Sequence, residues 1–300
     1  MPLRLKDSLP VIEKLKKENI FAMTEERAEH QDIRQLKIAV LNLMPEKENT
    51  ELQLLRLLSN TPLQAEVTFV RLVTHKYKTT PLSYLLKNYK PFYQIENSYF
   101  DGLIITGAPV EKLEYEDVDY WGELSSIFEW SRLHVTSTLY LSWAAQAGLY
   151  YHFGVPKYDL PRKLSGVYKH SLDDKFDELV RGFDEHFYMP HSCHTEIRRD
   201  DVLKTKGLKL IASDVNGEPL IITDDTGDVF INAHPEYDLY RLAEEYIRDT
   251  DKGLSPSVPE NYYPDDDPDK EPVSRWLLAS NQLFSNWLNY YVYQITPYEF

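Results

Sequence analysis

A serine stands where a strand-like segment meets a helix-like one, in the stretch TSTLYLSWAAQAGLYYHFG at residues 136–154. Such a turn lifts its residue above a sheet, and the helix N-terminus adds free N–H groups and a positive dipole end. These features suit a nucleophile in acyl transfer, so Ser142 is a candidate. The backbone N–H groups of Trp143 and Ala108, the latter in a glycine-containing turn, are candidate oxyanion donors. The alternative is that a small residue at this turn is purely structural.

A histidine and a glutamate two residues apart, His234 and Glu236, follow another strand-like run in the stretch NAHPEYD. A histidine oriented by a carboxylate is the base half of a catalytic triad. Residues at this spacing converge where a chain leaves a strand in an irregular turn. The pair is therefore a candidate base for Ser142, and the alternative is a histidine that makes only a structural hydrogen bond.

The stretch PHSCHTE at residues 190–196 contains two histidines, a serine, a threonine and the only cysteine of the chain. His191, Cys193 and His194 could bind a metal, but no second Cys/His pair at ligand spacing accompanies them. We therefore expect no metal site. The functional alternative is a polar segment that lines a small-molecule site, with Cys193 as a partly buried residue without chemistry.

Elements that alternate between strand and helix must position these residues. Continuous apolar runs predict buried strands at 36–44, 65–73, 100–110 and 135–142, and helical spacing predicts helices at 49–60, 120–132 and 143–153. This order predicts an α/β fold with a doubly wound, mainly parallel sheet. In such sheets ligands bind beyond the carboxyl ends of the strands, where Ser142 and the 107–111 turn would lie.

The pattern changes after residue 153, where five strand-like runs with hairpin turns predict β-rich additions. Two C-terminal helices follow, at 237–249 and 273–293. The second has one apolar face, formed by Leu283, Phe284, Trp287, Leu288 and Tyr291. Residues 1–34 are polar with an amphipathic helix expected near 10–30, and we interpret them as an arm packed on a single domain at 35–300.

Charge and composition narrow the function. The chain has 300 residues and a formal net charge of -15, which disfavours nucleic-acid binding. No apolar window is long enough for a membrane span, and the charged N-terminus does not resemble a secretory signal. A single cysteine indicates the cytoplasm. An anionic ligand would need its own local basic groups against this acidic background.

Several motifs together resemble one family, the bacterial homoserine O-acyltransferases related to class I glutamine amidotransferases (the homoserine transsuccinylase family). They are NLMPEK, DGLIITGAPVE, WAAQAGLYYHFG, KLSGV, PHSCHTE, HPEYD, EYIRD and NWLNYYVYQITPY, in this order and nearly from end to end. The resemblance implies a flavodoxin-like core and a ping-pong reaction. An acyl group passes from acyl-CoA to a catalytic cysteine and then to the side-chain hydroxyl of homoserine, a step of methionine biosynthesis.

The resemblance also implies roles for individual residues. His234 matches the general base and Glu236 its orienting partner. Lys163, Ser192 and Arg248 match substrate-contacting positions of the family.

Lys47 is similar to a lysine near the active site, and Glu111 matches the position associated with the choice of acyl donor. A glutamate there goes with acetyl-CoA and a glycine with succinyl-CoA. A carboxylate at the acyl end of a pocket would repel a succinyl carboxylate, so we expect acetyl-CoA as co-substrate.

Four residues in three motifs depart from the family pattern, and they cluster at this site. The family has CWGAQAG where this chain has SWAAQAG, so Ser142 replaces the cysteine and Ala144 a glycine. An arginine is replaced by Cys193, and a glycine by Ala233. Four interpretations follow: Ser142 is the nucleophile; His234 activates the acceptor for direct attack; the protein binds ligands without catalysis; or Cys193 is the nucleophile.

The acceptor also has an alternative. L-Serine is one methylene shorter than L-homoserine, a difference that pockets discriminate by only roughly 1–3 kcal/mol. The prediction is therefore a homoserine O-acetyltransferase, with serine O-acetylation in cysteine biosynthesis as the alternative. Lys163 and Arg248 suit the carboxylate of either amino acid. We expect no metal and no bound cofactor. The aromatic C-terminal segment has two alternatives, closing the core or forming a contact in a homodimer.

Overall fold

A computed structural model describes residues 3–6, 9–18, 22–23 and 35–296. Within these ranges, twelve strands form one mixed sheet. The strands are β1 (Leu3–Arg4), β2 (Ala22–Met23), β3 (Leu36–Leu41), β4 (Ala65–Arg71), β5 (Lys90–Pro91), β6 (Phe100–Ile105), β7 (Val135–Leu141), β8 (Tyr158–Leu172), β9 (His186–Glu196), β10 (Leu208–Asp214), β11 (Pro219–Asp224) and β12 (Val229–Ile231). The helices are α1 (Val11–Lys17), α2 (Lys47–Leu58), α3 (Leu82–Asn88), α4 (Trp121–His134), α5 (Trp143–Phe153), α6 (Arg199–Lys204), α7 (Arg241–Asp251) and α8 (Leu277–Asn286).

One half of the sheet is parallel and contains the predicted doubly wound core. Its order is β2-β1-β4-β3-β6-β7-β12, and each neighbouring pair is parallel. The strands β3 and β6 are buried along nearly their whole length, because helices cover both faces of the sheet. The predicted α/β architecture is confirmed.

The other half of the sheet contains the predicted β-rich additions. The strands β12, β11, β10, β8 and β9 pair antiparallel in this order. Gly217 and Gly227 adopt positive φ angles of 86° and 88° in the turns before β11 and β12. Such angles favour glycine and allow tight hairpins between consecutive strands.

The described part of the N-terminal segment packs on the main domain. Leu5, Leu9, Val11 and Leu15 are buried in the same apolar cluster as Leu36. The helix expected near 10–30 is shorter: α1 ends at Lys17, and β2 pairs with β1 instead, since the growing sheet edge offers its backbone hydrogen bonds. The rest of this prediction, at 19–21 and 24–34, lies outside the described residues.

Two apolar clusters cover the two faces of the sheet, and alternate residues of β3 divide between them. Ile38 and Val40 belong to one and Ala39 to the other. The C-terminal helix α8 continues as a π-helical segment, Trp287–Tyr293, against the first face. Of its predicted apolar face, Leu283, Phe284, Trp287 and Leu288 are fully buried and Tyr291 packs at the margin.

Across the described ranges, none of the helices has the length and apolar character that crossing a membrane requires.

Candidate active site

Three neighbouring parallel strands bring the candidate residues to one edge of the sheet. In the register, Ile105 of β6 lies beside Tyr140 of β7, and Leu141 of β7 beside Ile231 of β12. The chain leaves these strands into the turns that contain Ala108, Ser142 and His234. Segments far apart in sequence therefore meet because their strands are adjacent.

Ser142 occupies a sharp strand-to-helix turn. Its backbone has φ 52° and ψ -121°, a region that non-glycine residues rarely adopt, and its N–H donates to the Ile231 carbonyl at 2.7 Å. Trp143 is the first residue of α5, so its N–H has no intrahelical acceptor. Ala144, where the family has glycine, lies in the helix, where alanine fits without strain. The turn therefore has the form expected of a nucleophile turn.

His234 and Glu236 form a buried pair behind this turn. Nδ1 of His234 lies 2.7 Å from Oε1 of Glu236, and both side chains are almost completely buried. A carboxylate only accepts hydrogen bonds, so Nδ1 carries the proton and Nε2 stays free as a base. The ring stacks on Tyr237, with ring centroids 4.1 Å apart, which fixes its plane.

Ser142 and His234 meet beside Gly107. A Cβ placed on this glycine would lie 3.4 Å from Oγ of Ser142 and 3.4 Å from Cε1 of His234. The described residues show no direct hydrogen bond between the serine hydroxyl and the imidazole. Catalytic hydrogen bonds are often long in ligand-free sites and tighten when substrate binds. The two side chains face the same space, in which a reacting group would lie.

This space is a cavity of about 550 Å³, which we call the inner cavity. Seven of the predicted site residues line it: Ala108, Glu111, Ser142, Lys163, Ser192, His234 and Arg248. Its volume is within the range of small-molecule sites. The structure therefore brings most of the predicted residues together.

A buried carboxylate, Glu245, organises the charged wall of the inner cavity. It accepts hydrogen bonds from Ser192 Oγ and from the Tyr237 hydroxyl, the latter at 2.8 Å. Lys163 Nζ lies 3.4 Å from its Oε2 and Arg241 Nε 3.5 Å from its Oε1. Burial acts to raise the pKa of Glu245, but these partners lower it below its ordinary value, so the carboxylate is ionised.

Glu111 also lines the inner cavity. Burial raises the pKa of Glu111, and the nearby positive charge of Lys163 partly opposes the change. The Lys157 ammonium donates to the backbone carbonyls of Glu111 and Leu113, which holds the loop in place. Glu111 is therefore a carboxyl-bearing residue of the same cavity that Ser142 lines.

Lys47, which the resemblance places near the active site, is not among the residues that line the inner cavity. Its ammonium is buried and donates to the backbone carbonyls of Asn42 and Met44. Burial lowers the pKa of Lys47 to about 7, and nearby Glu51 opposes this. Because Met44 lines the cavity, Lys47 acts on its shape through the turn that it holds.

Cys193 also lies outside the lining, although its neighbours Ser192 and His194 belong to it. Successive side chains of a strand point to opposite faces, so β9 directs the thiol away from the inner cavity. Burial raises the pKa of the Cys193 thiol to about 12, so it is protonated at neutral pH. Both observations weigh against Cys193 as the nucleophile.

Two histidines of β9 also lie on opposite faces of the strand. His194 lines the inner cavity, whereas His191 faces away from it, with its Nε2 3.1 Å from Nε2 of His170. Among the described residues, no group of three or more histidine, cysteine or acidic side chains could hold a metal.

Four residues that line the inner cavity are not predicted from the sequence: Tyr237, Arg241, Glu245 and Asp249. A signal was present in α7, because Arg241, Glu245 and Asp249 recur every four residues and share one helix face. Arg241 also binds Glu46 at 2.6 Å, which ties α7 to the turn after β3. A charged stripe on a helix is ordinarily solvated, so only the packing reveals its role.

A family model described as homoserine O-succinyltransferase matches residues 2–298 of the chain. Similar curated proteins are the homoserine O-acetyltransferases of Agathobacter rectalis, Bacteroides thetaiotaomicron and a Geobacillus strain. They are 56%, 52% and 54% identical, over 100%, 99% and 100% of this chain and 97%, 98% and 99% of theirs.

Solved structures support the fold. A glutamine amidotransferase from Thermotoga maritima aligns with a TM-score of 0.54 at 12% identity, over 87% of this chain and 98% of that one. A putative GMP synthase subunit from Thermoplasma acidophilum aligns with a TM-score of 0.50 at 17% identity, over 73% of this chain and 98% of that one. With the family match over nearly the whole length, the chain belongs to the homoserine O-succinyltransferase family.

Proposed function

We propose that this protein transfers the acetyl group of acetyl-CoA to the side-chain hydroxyl of L-homoserine, with Ser142 as the nucleophile. The observation that carries the proposal is the strained turn of Ser142, which faces the same cavity as the His234–Glu236 pair. Curated relatives named homoserine O-acetyltransferase over the full length support the reaction class. The reaction belongs to methionine biosynthesis.

The first half-reaction forms an acyl-serine. Nε2 of His234 accepts the proton of Ser142 Oγ while the oxygen attacks the thioester carbonyl. The backbone N–H groups of Trp143 and Ala108 stabilise the resulting oxyanion. The C–S bond then breaks, and His234 returns the proton to the departing CoA thiolate. A serine hydroxyl is much less acidic than a thiol, so this step depends on the oriented base.

The second half-reaction transfers the acyl group to the acceptor. His234 accepts the proton of the acceptor hydroxyl, whose oxygen attacks the ester carbonyl of acyl-Ser142. The ester bond to Oγ breaks and His234 returns the proton to Ser142. Glu236 stabilises the imidazolium in both halves. The enzyme is regenerated without any group beyond the two substrates, so the proposal includes no bound cofactor or metal.

The charged wall suits an amino acid. Lys163 and Arg248 match the acceptor's carboxylate, and Glu245 and Asp249 its ammonium group. Arg248 pairs with Asp249 at 2.8 Å and Lys163 with Asp249 at 3.5 Å. These pairs keep the wall close to neutral before substrate binds, and a zwitterion can replace them pair for pair.

Glu111 supports acetyl-CoA over succinyl-CoA. Glu111 lines the same cavity as Ser142, so its side chain takes up volume there and, when ionised, repels a second carboxylate. We also expect the protein to act in the cytoplasm, and the sequence leaves a homodimer as one of its alternatives. Both stay predictions.

One observation favours L-serine as a second candidate acceptor. The family's arginine near the substrate is replaced by Cys193, whose thiol does not line the inner cavity. Because position 193 faces away from the inner cavity, the loss of the arginine changes the charge near the acceptor and not the volume open to it. The remaining lining residues are compatible with either amino acid.

An acetyl-transfer assay tests the proposal. The purified chain is given acetyl-CoA with L-homoserine or L-serine, and CoA release and the O-acetylated product are measured by mass spectrometry. We expect O-acetylhomoserine, and Ser142→Ala should reduce turnover by at least a thousandfold. Faster turnover of L-serine would transfer the assignment to serine O-acetylation. No CoA release with either acceptor, restored by Ser142→Cys, would establish a catalytically inactive homologue.

A further inference from the structure

A second cavity of about 400 Å³ adjoins the inner cavity, and we call it the outer chamber. Lys112, Lys163, His194, Asp249 and Leu254 line both spaces. The two are therefore continuous, with the Ser142 turn at the inner end. An extended ligand can place one end beside Ser142 and the other in the outer chamber.

The outer chamber carries positive charge on a strongly acidic protein. Three permanent cations, Lys112, Arg162 and Lys163, line it, against the single carboxylate of Asp249. The chain as a whole has a formal net charge of -15. A local reversal of the surface potential attracts anions, and guanidinium and ammonium groups are the usual partners of phosphates.

These cations differ in the ion pairs that they form with other residues of the protein. In the described part of the chain Lys112 forms no ion pair and is exposed. Arg162 pairs with Glu260 at 2.8 Å, but the two side chains are 72% and 40% exposed. Exposed pairs of this kind contribute little to stability, so a phosphate can take the guanidinium over. Lys163 is instead engaged by Glu245 and Asp249 and belongs to the inner wall.

Apolar and hydroxyl groups complete the outer chamber. Tyr246, Leu254 and Pro256 offer apolar surface, and Ser165, Ser255 and Ser257 offer hydroxyl groups. A flat ring can pack against the first set, and the second can donate to phosphate oxygens. This combination of cations, hydroxyls and an apolar face matches a phosphorylated nucleoside.

We propose that the outer chamber binds the phosphate-bearing adenosine end of the acyl-CoA donor, with Arg162 and Lys112 contacting its phosphates. The inference rests on the proposed function, which places the thioester beside Ser142. CoA carries its phosphates at the far end of the pantetheine arm from the thioester. The donor then spans both spaces, and the amino-acid acceptor reaches the acyl-serine from the inner wall.

Donor truncation tests the proposal. We compare kcat/KM for acetyl-CoA with that for S-acetylpantetheine, which lacks the phosphates and the adenosine. Arg162→Ala should lower the ratio of the two values about tenfold, mainly through KM for acetyl-CoA, and Arg162→Lys should recover part of it. Lys112→Ala should act in the same direction, and high salt should shrink each effect.

Lys169→Ala is the matched control, because Lys169 is an exposed cation of the same strand β8 outside the lining of the outer chamber. It changes the net charge equally and should leave the ratio at its wild-type value. A ratio unchanged in both Arg162→Ala and Lys112→Ala would overturn the proposal. So would a ratio that falls as much in Lys169→Ala.

A binding measurement separates this proposal from the proposed function. The adenosine bisphosphate fragment of CoA is titrated into the wild type and Arg162→Ala by calorimetry. Binding that weakens in the variant supports the outer chamber, even if the wild type transfers no acyl group and the proposed function fails. An active wild type that does not bind the fragment would refute the phosphate site alone.

Discussion

At the scale of single residues, the replacement of a thiol by the Ser142 hydroxyl makes the attack on the thioester depend more strongly on the general base. A thiol ionises with a pKa of about 8.5 and is partly deprotonated near neutral pH, whereas a hydroxyl is not. His234 must accept the proton as the C–O bond forms, and Glu236 must hold the ring in the tautomer that leaves Nε2 free. The buried Glu236–His234 pair is thus more important here than beside a cysteine.

The first prediction concerns Glu236→Gln. An amide of the same size can donate to Nδ1 and favour the wrong tautomer, so kcat should fall by about a thousandfold or more. The fold should persist, because only one atom changes. Steady-state kinetics and thermal unfolding of the same preparation check this. Retained turnover would exclude His234 as the general base in the assigned tautomer.

The second prediction separates charge from size at Glu111. Glu111→Gln removes the charge and keeps the volume, whereas Glu111→Gly removes both. We expect the succinyl-CoA to acetyl-CoA ratio of kcat/KM to rise slightly in Glu111→Gln and by more than tenfold in Glu111→Gly, since succinyl also needs space. Competition between the two donors measures the ratio. An unchanged ratio in both variants would remove Glu111 from donor selection.

At the scale of elements, the site depends on the order of strands in the sheet. Apolar runs in the sequence predict the strands, and the motifs predict Ser142 and His234 as site residues. That β6, β7 and β12 are neighbours follows only from how the strands pair in the sheet. Strand β12 is only three residues long and arrives from a hairpin more than eighty residues after β7. Local patterns carry no information about such a long-range partner.

Side-chain direction explains what the sequence could not predict at the site. The motif PHSCHTE predicts a polar lining segment, but only the pleat of β9 shows that Ser192 faces the inner cavity and Cys193 does not. Lys47 is a second example. Its motif places it near the site, but its ammonium donates to the backbone carbonyls of Asn42 and Met44. The role of Glu245 depends on Lys163 of β8 and Ser192 of β9 as well as on Arg241 of its own helix, and no single motif contains these partners.

The third prediction uses two glycines as a matched pair. In Gly107→Ala, the new Cβ would lie 3.2 Å from Cβ of Ser142 and 3.4 Å from Oγ, in the space for the reacting group. Activity should fall by about ten- to a hundredfold with little loss of stability. Gly122→Ala in α4 is the control, because its Cβ meets nothing within 4 Å.

The control should be slightly more stable and fully active, as alanine favours helices over glycine. Activity assays and thermal unfolding of both variants provide the comparison. Equal activity in the two variants would mean that the Gly107 turn does not border the reacting atoms.

At the scale of the whole molecule, buried titratable groups couple folding to pH. Burial lowers the pKa of His170 to about 4, and burial with the neighbouring His170 holds that of His191 well below its ordinary value. Burial and the nearby Asp224 raise the pKa of Asp228 to about 7, which acts in the opposite direction. The sign for each group follows from which state binds more protons.

The fourth prediction concerns His170. Between pH 6.5 and about 4 the unfolded chain binds a proton at this residue that the folded chain does not. This contribution to stability is complete above pH 6.5 and is lost as the pH falls toward 4. In the wild type, His170 should account for about 2–3 kcal/mol of the fall in the free energy of unfolding across this window. In His170→Asn, the free energy of unfolding should therefore fall less by that amount.

Urea unfolding of the wild type and His170→Asn above and below this window measures the effect. The comparison is the change with pH in each protein, so an overall loss of stability in the variant does not disturb it. An identical pH dependence in the two proteins would show that His170 is not held neutral by burial.

The central claim is that the acyl group passes through Ser142. Rapid quench with acetyl-labelled acetyl-CoA in the absence of acceptor, followed by peptide mapping, tests it most directly. We expect label on Ser142 as an ester, which acceptor converts into O-acetyl product and which is absent in Ser142→Ala. Label on Cys193, or product formed without labelled protein at any time, would contradict it.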